Sequence, residues 1–112
     1  MATAFAPERG DLVWLDFDPQ AGREQAGRRP ALVLSSRGYN SKTSLAVICP
    51  ITSKVKGYPF EVVLPAGRIT GAVLSDQVAS LDWVVRRAER VAKVSDDVLA
   101  EVTAKIAALI QI

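Results

Sequence analysis

The feature that most constrains the fold is a series of short apolar runs separated by turn residues. Each run has the length of a β-strand and is bounded by Gly, Pro or polar residues. Closely spaced runs of this kind are typical of a small β-barrel or β-sandwich. The predicted strands cover residues 12–17, 30–35, 45–51, 60–64, 71–75 and 88–94.

The connections between these strands differ in character. Residues 19–28 are polar and contain two glycines, which predicts a long mobile loop of about ten residues. Residues 38–42 are expected to turn the chain. Pro30 stands at the first position of its predicted strand, where a missing N–H is tolerated. The run 45–51 shows no alternation with polar residues, so we expect it to be buried on both faces.

The C-terminal segment has helical rather than strand periodicity. Ser95 is a suitable N-cap, and Asp96 and Asp97 follow in the first turn, where the helix dipole favours acids. The apolar stripe consists of Val98, Leu99, Val102, Ile106, Leu109 and Ile110. It could pack on the sheet or be shared with a second copy, and packing on the sheet is favoured for most of it. We therefore predict one mainly β domain over residues 1–112 with a C-terminal α-helix.

The chain contains no histidine and a single cysteine, Cys49. These absences exclude the histidine-dependent catalytic triads, the usual transition-metal ligands, internal disulfides and multi-cysteine zinc sites. Any catalysis must use carboxylates, arginine, lysine or hydroxyl groups, and we expect neither a metal nor another cofactor. No apolar run could span a bilayer and residues 1–30 lack a signal-peptide pattern, which indicates a cytoplasmic protein.

Positive charge is concentrated in the middle of the chain. Residues 20–56 hold seven basic residues and one acid, although the net charge of the whole chain is only +2. The single acid, Glu24, lies between Arg23 and Arg28. A basic segment like this is either a solvated surface or a phosphate-binding site, and composition leaves both alternatives open.

Three residues of this region could act on a phosphodiester. Pro30 restricts the backbone of Arg29 to extended geometry, so that its planar guanidinium could be aimed at a phosphate. Glu24 could take a proton from an RNA 2′-hydroxyl while arginine stabilises the pentacoordinate phosphate. Thr52 could donate to a phosphate oxygen. The alternatives are a surface ion pair for each charged residue and an ordinary turn with Ser53 for the threonine.

Other polar and aromatic residues are less decisive. Asp76 and Gln77 follow the predicted strand 71–75, where they could read bases or tie two loops together by hydrogen bonds. Trp14 alternates within a predicted strand, which assigns it to the core. For Trp83 the sequence leaves core packing and base stacking equally open.

In their order along the chain, these residues resemble the MazF/PemK/Kid toxin family over almost the whole sequence. The segment Glu24-Gln25-x-Gly27-x-Arg29-Pro30 is the most specific match, and residues 9–14, 50–52, 57–60 and 75–78 carry further motifs. The resemblance implies a small SH3-like β-barrel with a C-terminal helix. It also implies a homodimer that cuts single-stranded mRNA at short motifs, leaves 2′,3′-cyclic phosphate and 5′-hydroxyl ends, and so inhibits translation.

Roles for individual residues follow from the same resemblance. Glu24 would be the general base, and Arg29 and Thr52 would hold the scissile phosphate. A second branch of the family pairs the aspartate with an arginine at the position of Leu74, so Asp76 receives a supporting role here. The residues assigned to RNA binding are Arg23, Gln25, Arg28, Ser53, Lys54, Lys56, Asp76 and Gln77. A cognate antitoxin with an acidic, disordered tail would compete for the same groove.

Two alternative functions are kept. The CcdB gyrase poisons are similar in fold, but they bind a protein and use a C-terminal tryptophan, which residues 109–112 lack. The second alternative is a β-barrel that binds RNA without cutting it.

Overall fold

The computed structural model describes residues 5–17 and 27–112. Arg23, Glu24 and Gln25, with most of the predicted loop 19–28, lie outside these residues. The described chain forms strands β1 (Asp11–Phe17), β2 (Gly27–Val33), β3 (Leu45–Thr52), β4 (Glu61–Val63), β5 (Ala72–Leu74), β6 (Ala79–Asp82) and β7 (Glu89–Lys93). Its helices are α1 (Arg37–Thr43) and α2 (Asp96–Ile110).

The strands form an antiparallel sheet in the order β4-β5-β3-β2-β1-β7, and β6 pairs with the first half of β3. Within residues 5–17 and 27–112, the end strands β4 and β7 do not pair with each other. A mainly β fold with a C-terminal helix is therefore confirmed, but the predicted barrel is only a loose description because the sheet is not closed.

Both faces of the central strands are covered by apolar side chains, because successive residues of a strand point to opposite faces. On one face, Leu12, Leu32 and Ile51 pack with Val102 of α2. On the other face, Leu15 and Ile48 pack around Trp83. Burial of β3 on both faces is thus confirmed.

Trp83 belongs to this core. Only 7% of the residue is exposed, and its indole N–H donates to the carbonyl of Asn40 at 2.8 Å. The ring of Phe5 meets the indole edge-on, with the centroids 5.9 Å apart. Of the two roles that the sequence left open, core packing is therefore the one that Trp83 has.

Helix α2 begins as expected, with the N–H of Val98 donating to the Ser95 hydroxyl at 3.3 Å. Its apolar residues as far as Ile106 pack against the core, whereas Leu109 and Ile110 are 56% and 58% exposed. Packing on the sheet is confirmed for most of the stripe. Neither helix of the described chain is long and apolar enough to cross a membrane.

The sequence patterns miss α1 and β6. Residues 38–42 belong to α1 rather than to a simple turn, and its buried Asn40 donates to the distant carbonyl of Pro7 at 2.8 Å. Strand β6 contains Ser80 and Asp82, so it has little apolar signal, and pairing with β3 keeps it extended. Both elements depend on contacts that are remote in sequence.

Strand β2 begins at Gly27, so the prediction that Pro30 opens the strand is wrong. Pro30 lies opposite Trp14 of β1, but the ladder to β3 ends at the pair Ala31 and Pro50. At Pro30 the strand therefore has a paired neighbour on one side only, which is the kind of position where proline is tolerated.

Candidate functional site

Arg29 and Thr52 lie at the same end of the sheet. The last pair of β2 with β3 joins Ala31 to Pro50, and Arg29 and Thr52 each stand two residues beyond it in the same direction. Arg29 is extended within β2, as the proline beside it predicts. A groove of about 370 Å³ opens here and is lined by both Arg29 and Ser53. The fold thus combines a cation, strand-end hydroxyl residues and an accessible groove.

The hydroxyl of Thr52 takes part in a local turn. Its oxygen accepts the N–H of Lys54 at 3.0 Å, which is the turn chemistry considered from the sequence. A hydroxyl that accepts one bond can still donate its own hydrogen. The turn therefore fixes the orientation of Thr52 and leaves it able to donate to a phosphate oxygen.

Gly71 sets the position of Thr52, a role that the sequence patterns do not reveal. Strand β5 pairs Ala72 with Thr52, and Gly71 precedes that pair with a φ of +123°. A Cβ atom on residue 71 would lie 2.1 Å from the Thr52 carbonyl oxygen. Only glycine allows this close approach of two backbones.

We expect Gly71→Ala to destabilise the fold by about 1–3 kcal/mol, because the new methyl group must push β3 and β5 apart. Gly67→Ala is the matched control, since the nearest atom to its Cβ is a carbonyl oxygen 3.8 Å away. Urea unfolding of the two variants measures the difference. Equal transition midpoints would show that the close approach at Gly71 does not constrain the site.

The loop of residues 53–60 carries the exposed Lys54 and Lys56 and is anchored at two points. The buried carboxylate of Glu61 accepts the N–H groups of Lys56 at 3.1 Å and Gly57 at 2.9 Å. Lys105 of α2 donates to the carbonyl of Pro59 at 2.6 Å. Glu61 is a site-shaping residue that sequence reasoning missed. The available signal was a carboxylate inside an otherwise apolar predicted strand.

Arg28 belongs to an ion-pair cluster at the end of β1 and β2. Its guanidinium lies 2.9 Å from Asp16 and 3.4 Å from Glu89, and it donates to the carbonyl of Arg87 at 2.8 Å. Arg87 also contacts Asp16, at 2.7 Å. The cluster joins β1 and β2, the two strands that are linked in the sequence by residues 18–26, including Glu24. Arg28 thus links the ends of β1, β2 and β7 and also lines the groove.

The cluster predicts acid-sensitive stability. Hydrogen bonds from Arg87, and then from Arg28, hold the pKa of Asp16 below its ordinary value of 3.8. The resulting stabilisation is complete above that value and is lost as the pH falls through the lower folded pKa. Wild type should therefore exceed Asp16→Asn in free energy of unfolding near neutrality, and the gap should close below pH 3.8.

Urea unfolding over a pH series tests this expectation. Glu89→Gln is the control, because Glu89 is farther from Arg28 and its side chain is 71% exposed. The free energy of unfolding of that variant should fall at acid pH in the same way as that of the wild type. A gap between wild type and Asp16→Asn that does not change with pH would contradict the assignment.

Asp76 and Gln77 lie on the exposed turn between β5 and β6, away from the groove. The N–H of Gln77 donates to the carbonyl of Leu74 at 3.1 Å. Burial, together with the charge of Asp76, raises the pKa of the Cys49 thiol to about 12. Cys49 is therefore a neutral packing residue. Strand β5 runs antiparallel to β3 from the pair Ala72 and Thr52, so the turn that follows β5 leads away from Thr52.

The assignment of Trp14 to the core is wrong. The residue shares a sheet face with Leu12, but it belongs to neither core cluster and is only half-buried. It lines the groove together with Arg28 and Arg29. Alternation of side chains shows on which face of the sheet a residue lies, but not whether other elements cover that face at its position.

Comparison with known proteins places this chain in a family. The family described as PemK-like, MazF-like toxin of type II toxin-antitoxin system matches residues 8–110. The Escherichia coli endoribonuclease toxin MazF is 47% identical over 110 residues, covering 98% of this chain and 99% of that relative.

Solved structures support the same family assignment. MazF from Deinococcus radiodurans superposes with a TM-score of 0.91 at 56% identity, covering 96% of this chain and 99% of that one. A MazE–MazF crystal structure from the same organism gives a TM-score of 0.89 at 54% identity, with 96% and 99% covered. With sequence and fold matched over nearly its whole length, the chain belongs to the PemK/MazF family of toxins of type II toxin–antitoxin systems.

Proposed function

We propose that this single-domain protein is a sequence-specific endoribonuclease that cuts single-stranded mRNA in the cytoplasm without a metal and thereby inhibits growth. The observation that carries the proposal is the position of Arg29 and Thr52 at one end of the sheet, beside an open groove. The likeness to an endoribonuclease toxin over almost the whole chain supports the same chemistry.

In the proposed reaction, Glu24 removes the proton of the RNA 2′-hydroxyl. The 2′-oxygen then attacks the adjacent phosphorus, and the bond from phosphorus to the 5′-oxygen breaks. Arg29 and the hydroxyl of Thr52 donate to the non-bridging oxygens, where negative charge develops. Arginine stays protonated near neutrality, so water supplies the proton of the 5′-hydroxyl product. The other product carries a 2′,3′-cyclic phosphate.

The proposed RNA-binding surface surrounds this centre. Arg28 and Ser53 line the groove, and Lys54 and Lys56 project from the 53–60 loop held by Glu61. Asp76 and Gln77 would contact RNA farther along β3. Arg23 and Gln25 are assigned by the family resemblance. Exposed cations bind phosphates regardless of sequence, so we expect this surface to set affinity more than the choice of bases.

We also propose two protein partners, a second copy of the chain and a cognate antitoxin. An acidic, disordered antitoxin tail would occupy the basic groove and block RNA. A crystal structure from Deinococcus radiodurans that this chain resembles is described as MazE–MazF. Binding should weaken as salt rises, and an antitoxin that bound without displacing RNA would contradict a shared groove.

The homodimer predicts a sedimenting species of twice the 12.0 kDa chain at micromolar concentration. The exposed Leu109 and Ile110 at the end of α2 supply apolar surface that such a dimer would bury. Leu109→Lys should then increase the monomer fraction, because a charge is costly in an apolar interface. Detection of the monomer alone in the wild type would refute the dimer.

One incubation separates the nuclease from the two alternatives. The pure protein is mixed with a long RNA in EDTA, and the RNA is resolved on native and denaturing gels. Discrete cuts support the nuclease. RNA that is shifted but intact supports the binding protein, and RNA that is neither bound nor cut supports a protein-binding poison of the CcdB type.

A further inference from the structure

A second groove adjoins the first on the other side of Trp14. It measures about 480 Å³ and shares Trp14, Arg28 and Arg68 with the groove that contains Arg29. Among residues 5–17 and 27–112, the two grooves together are lined by four arginines and by one carboxylate, that of Glu89. The cationic surface therefore continues beyond the proposed cleavage centre.

Trp14 lies where the two grooves meet. It stands opposite Pro30 of β2 on one side and Glu89 of β7 on the other. Its half-buried side chain is the aromatic one that both grooves share in the described part of the chain, whereas Trp83 is buried in the core. A partly exposed aromatic ring among cations is an arrangement by which proteins bind unpaired nucleotides, through stacking on the base and attraction of the phosphate.

The arginines around Trp14 are held in place without losing all their donors. Arg68 uses one N–H group to reach the carbonyl of Val91 on β7, at 3.1 Å. Within residues 5–17 and 27–112 it makes no ion pair. Arg90 lies 3.1 Å from the buried carboxylate of Asp11. Each guanidinium has five donors, so N–H groups remain for a ligand.

We propose that Trp14 and Arg68 form a nucleotide subsite that stacks on one base of single-stranded RNA next to the scissile step and binds its phosphate. Arg90 adds positive charge at the far end. This inference rests on the proposed nuclease function. Stacking accepts every base, so the subsite contributes affinity and the path of the strand rather than the choice of cleavage motif.

The test uses a single-stranded 2′-deoxyoligonucleotide of mixed sequence, which lacks the attacking hydroxyl, beside an abasic deoxyribose-phosphate strand of equal length. Trp14→Ala should weaken binding of the first by roughly 5- to 150-fold and leave binding of the second nearly unchanged. Trp14→Phe should restore most of the loss, because phenylalanine retains an aromatic face. Circular dichroism of both variants checks that the fold is kept.

Arg68→Gln should weaken binding of both strands and lower the salt slope by about one. Arg37→Gln is the matched control, because Arg37 is also exposed and donates to a backbone carbonyl at 3.1 Å, that of Ala6, but lines neither groove. It should leave both affinities near those of the wild type. Equal effects of the two substitutions would remove Arg68 from the subsite.

If Trp14→Ala weakens binding of both strands equally, or of neither strand, the stacking role of Trp14 is overturned. Loss of polyglutamate binding without loss of oligonucleotide binding would assign the groove to an acidic peptide and also overturn the proposal. Wild-type cleavage of RNA is measured separately. If the wild type cuts no RNA, the nuclease assignment fails, and base-dependent binding at Trp14 is still decided by the two strands.

Discussion

Replacing Arg29 by alanine should lower the single-turnover rate on fully bound RNA by roughly 10² to 10⁴-fold, on the order of 3 to 5 kcal/mol, while affinity falls much less. The reason is that Arg29 lies at the same end of the sheet as Thr52, at the proposed cleavage centre, and opposes charge that develops only in the transition state. Arg29→Lys should recover only part of the rate, because a point charge cannot reproduce the planar guanidinium.

The controls are Lys54→Ala and Arg28→Ala, which remove basic residues of the same surface. Lys54→Ala should mainly weaken binding and lower the salt slope by about one. Arg28→Ala also breaks the contact with Asp16, so it should lower stability as well. Similar small rate effects for all three alanine variants would make Arg29 an ordinary member of a basic surface.

Glu24→Gln should slow cleavage of bound RNA by roughly 10² to 10⁴-fold, because the variant keeps the size of the side chain and removes a proton acceptor. The rates of the wild type and the variant are compared on fully bound RNA. Strong external base should reduce the difference between them.

Asp76→Asn is the matched control, since Asp76 is the other carboxylate assigned to the site. Its position on the turn after β5, outside the groove at Arg29, predicts a small effect on the rate. A large loss for Asp76→Asn together with an unchanged rate for Glu24→Gln would move the general base to Asp76.

Local chemistry accounts for the parts of the fold that the sequence predicts well. Ser95 caps α2 as its residue type indicates, and β3 is buried on both faces as its apolar run predicts. Helix α1 is different because its buried Asn40 donates to the distant Pro7. No local pattern encodes a contact of that range, so the sequence predicts only a turn there.

The residues of the site also fall into two groups, those that the sequence predicts and those that it does not. The segment around Arg29 and the strand end at Thr52 are visible as motifs, and the register of β2 and β3 places them at one end of the sheet. Gly71 acts through a close backbone approach to Thr52 that residue type alone does not reveal, and the signal for Glu61 is limited to a carboxylate in an otherwise apolar predicted strand. The sequence places Trp14 in the core incorrectly, because the exposure of a strand residue depends on whether other elements cover its face of the sheet.

In the proposed reaction, the chain cuts RNA with the RNA's own 2′-hydroxyl and without a metal. The most direct test is mass spectrometry of the products that the wild type forms in EDTA from an oligoribonucleotide containing one mapped cut. We expect a 5′-hydroxyl fragment and a fragment one water lighter than the linear 3′-phosphate, as a 2′,3′-cyclic phosphate requires. Fragments with 5′-phosphate and 3′-hydroxyl ends, or cleavage that EDTA abolishes, would contradict it.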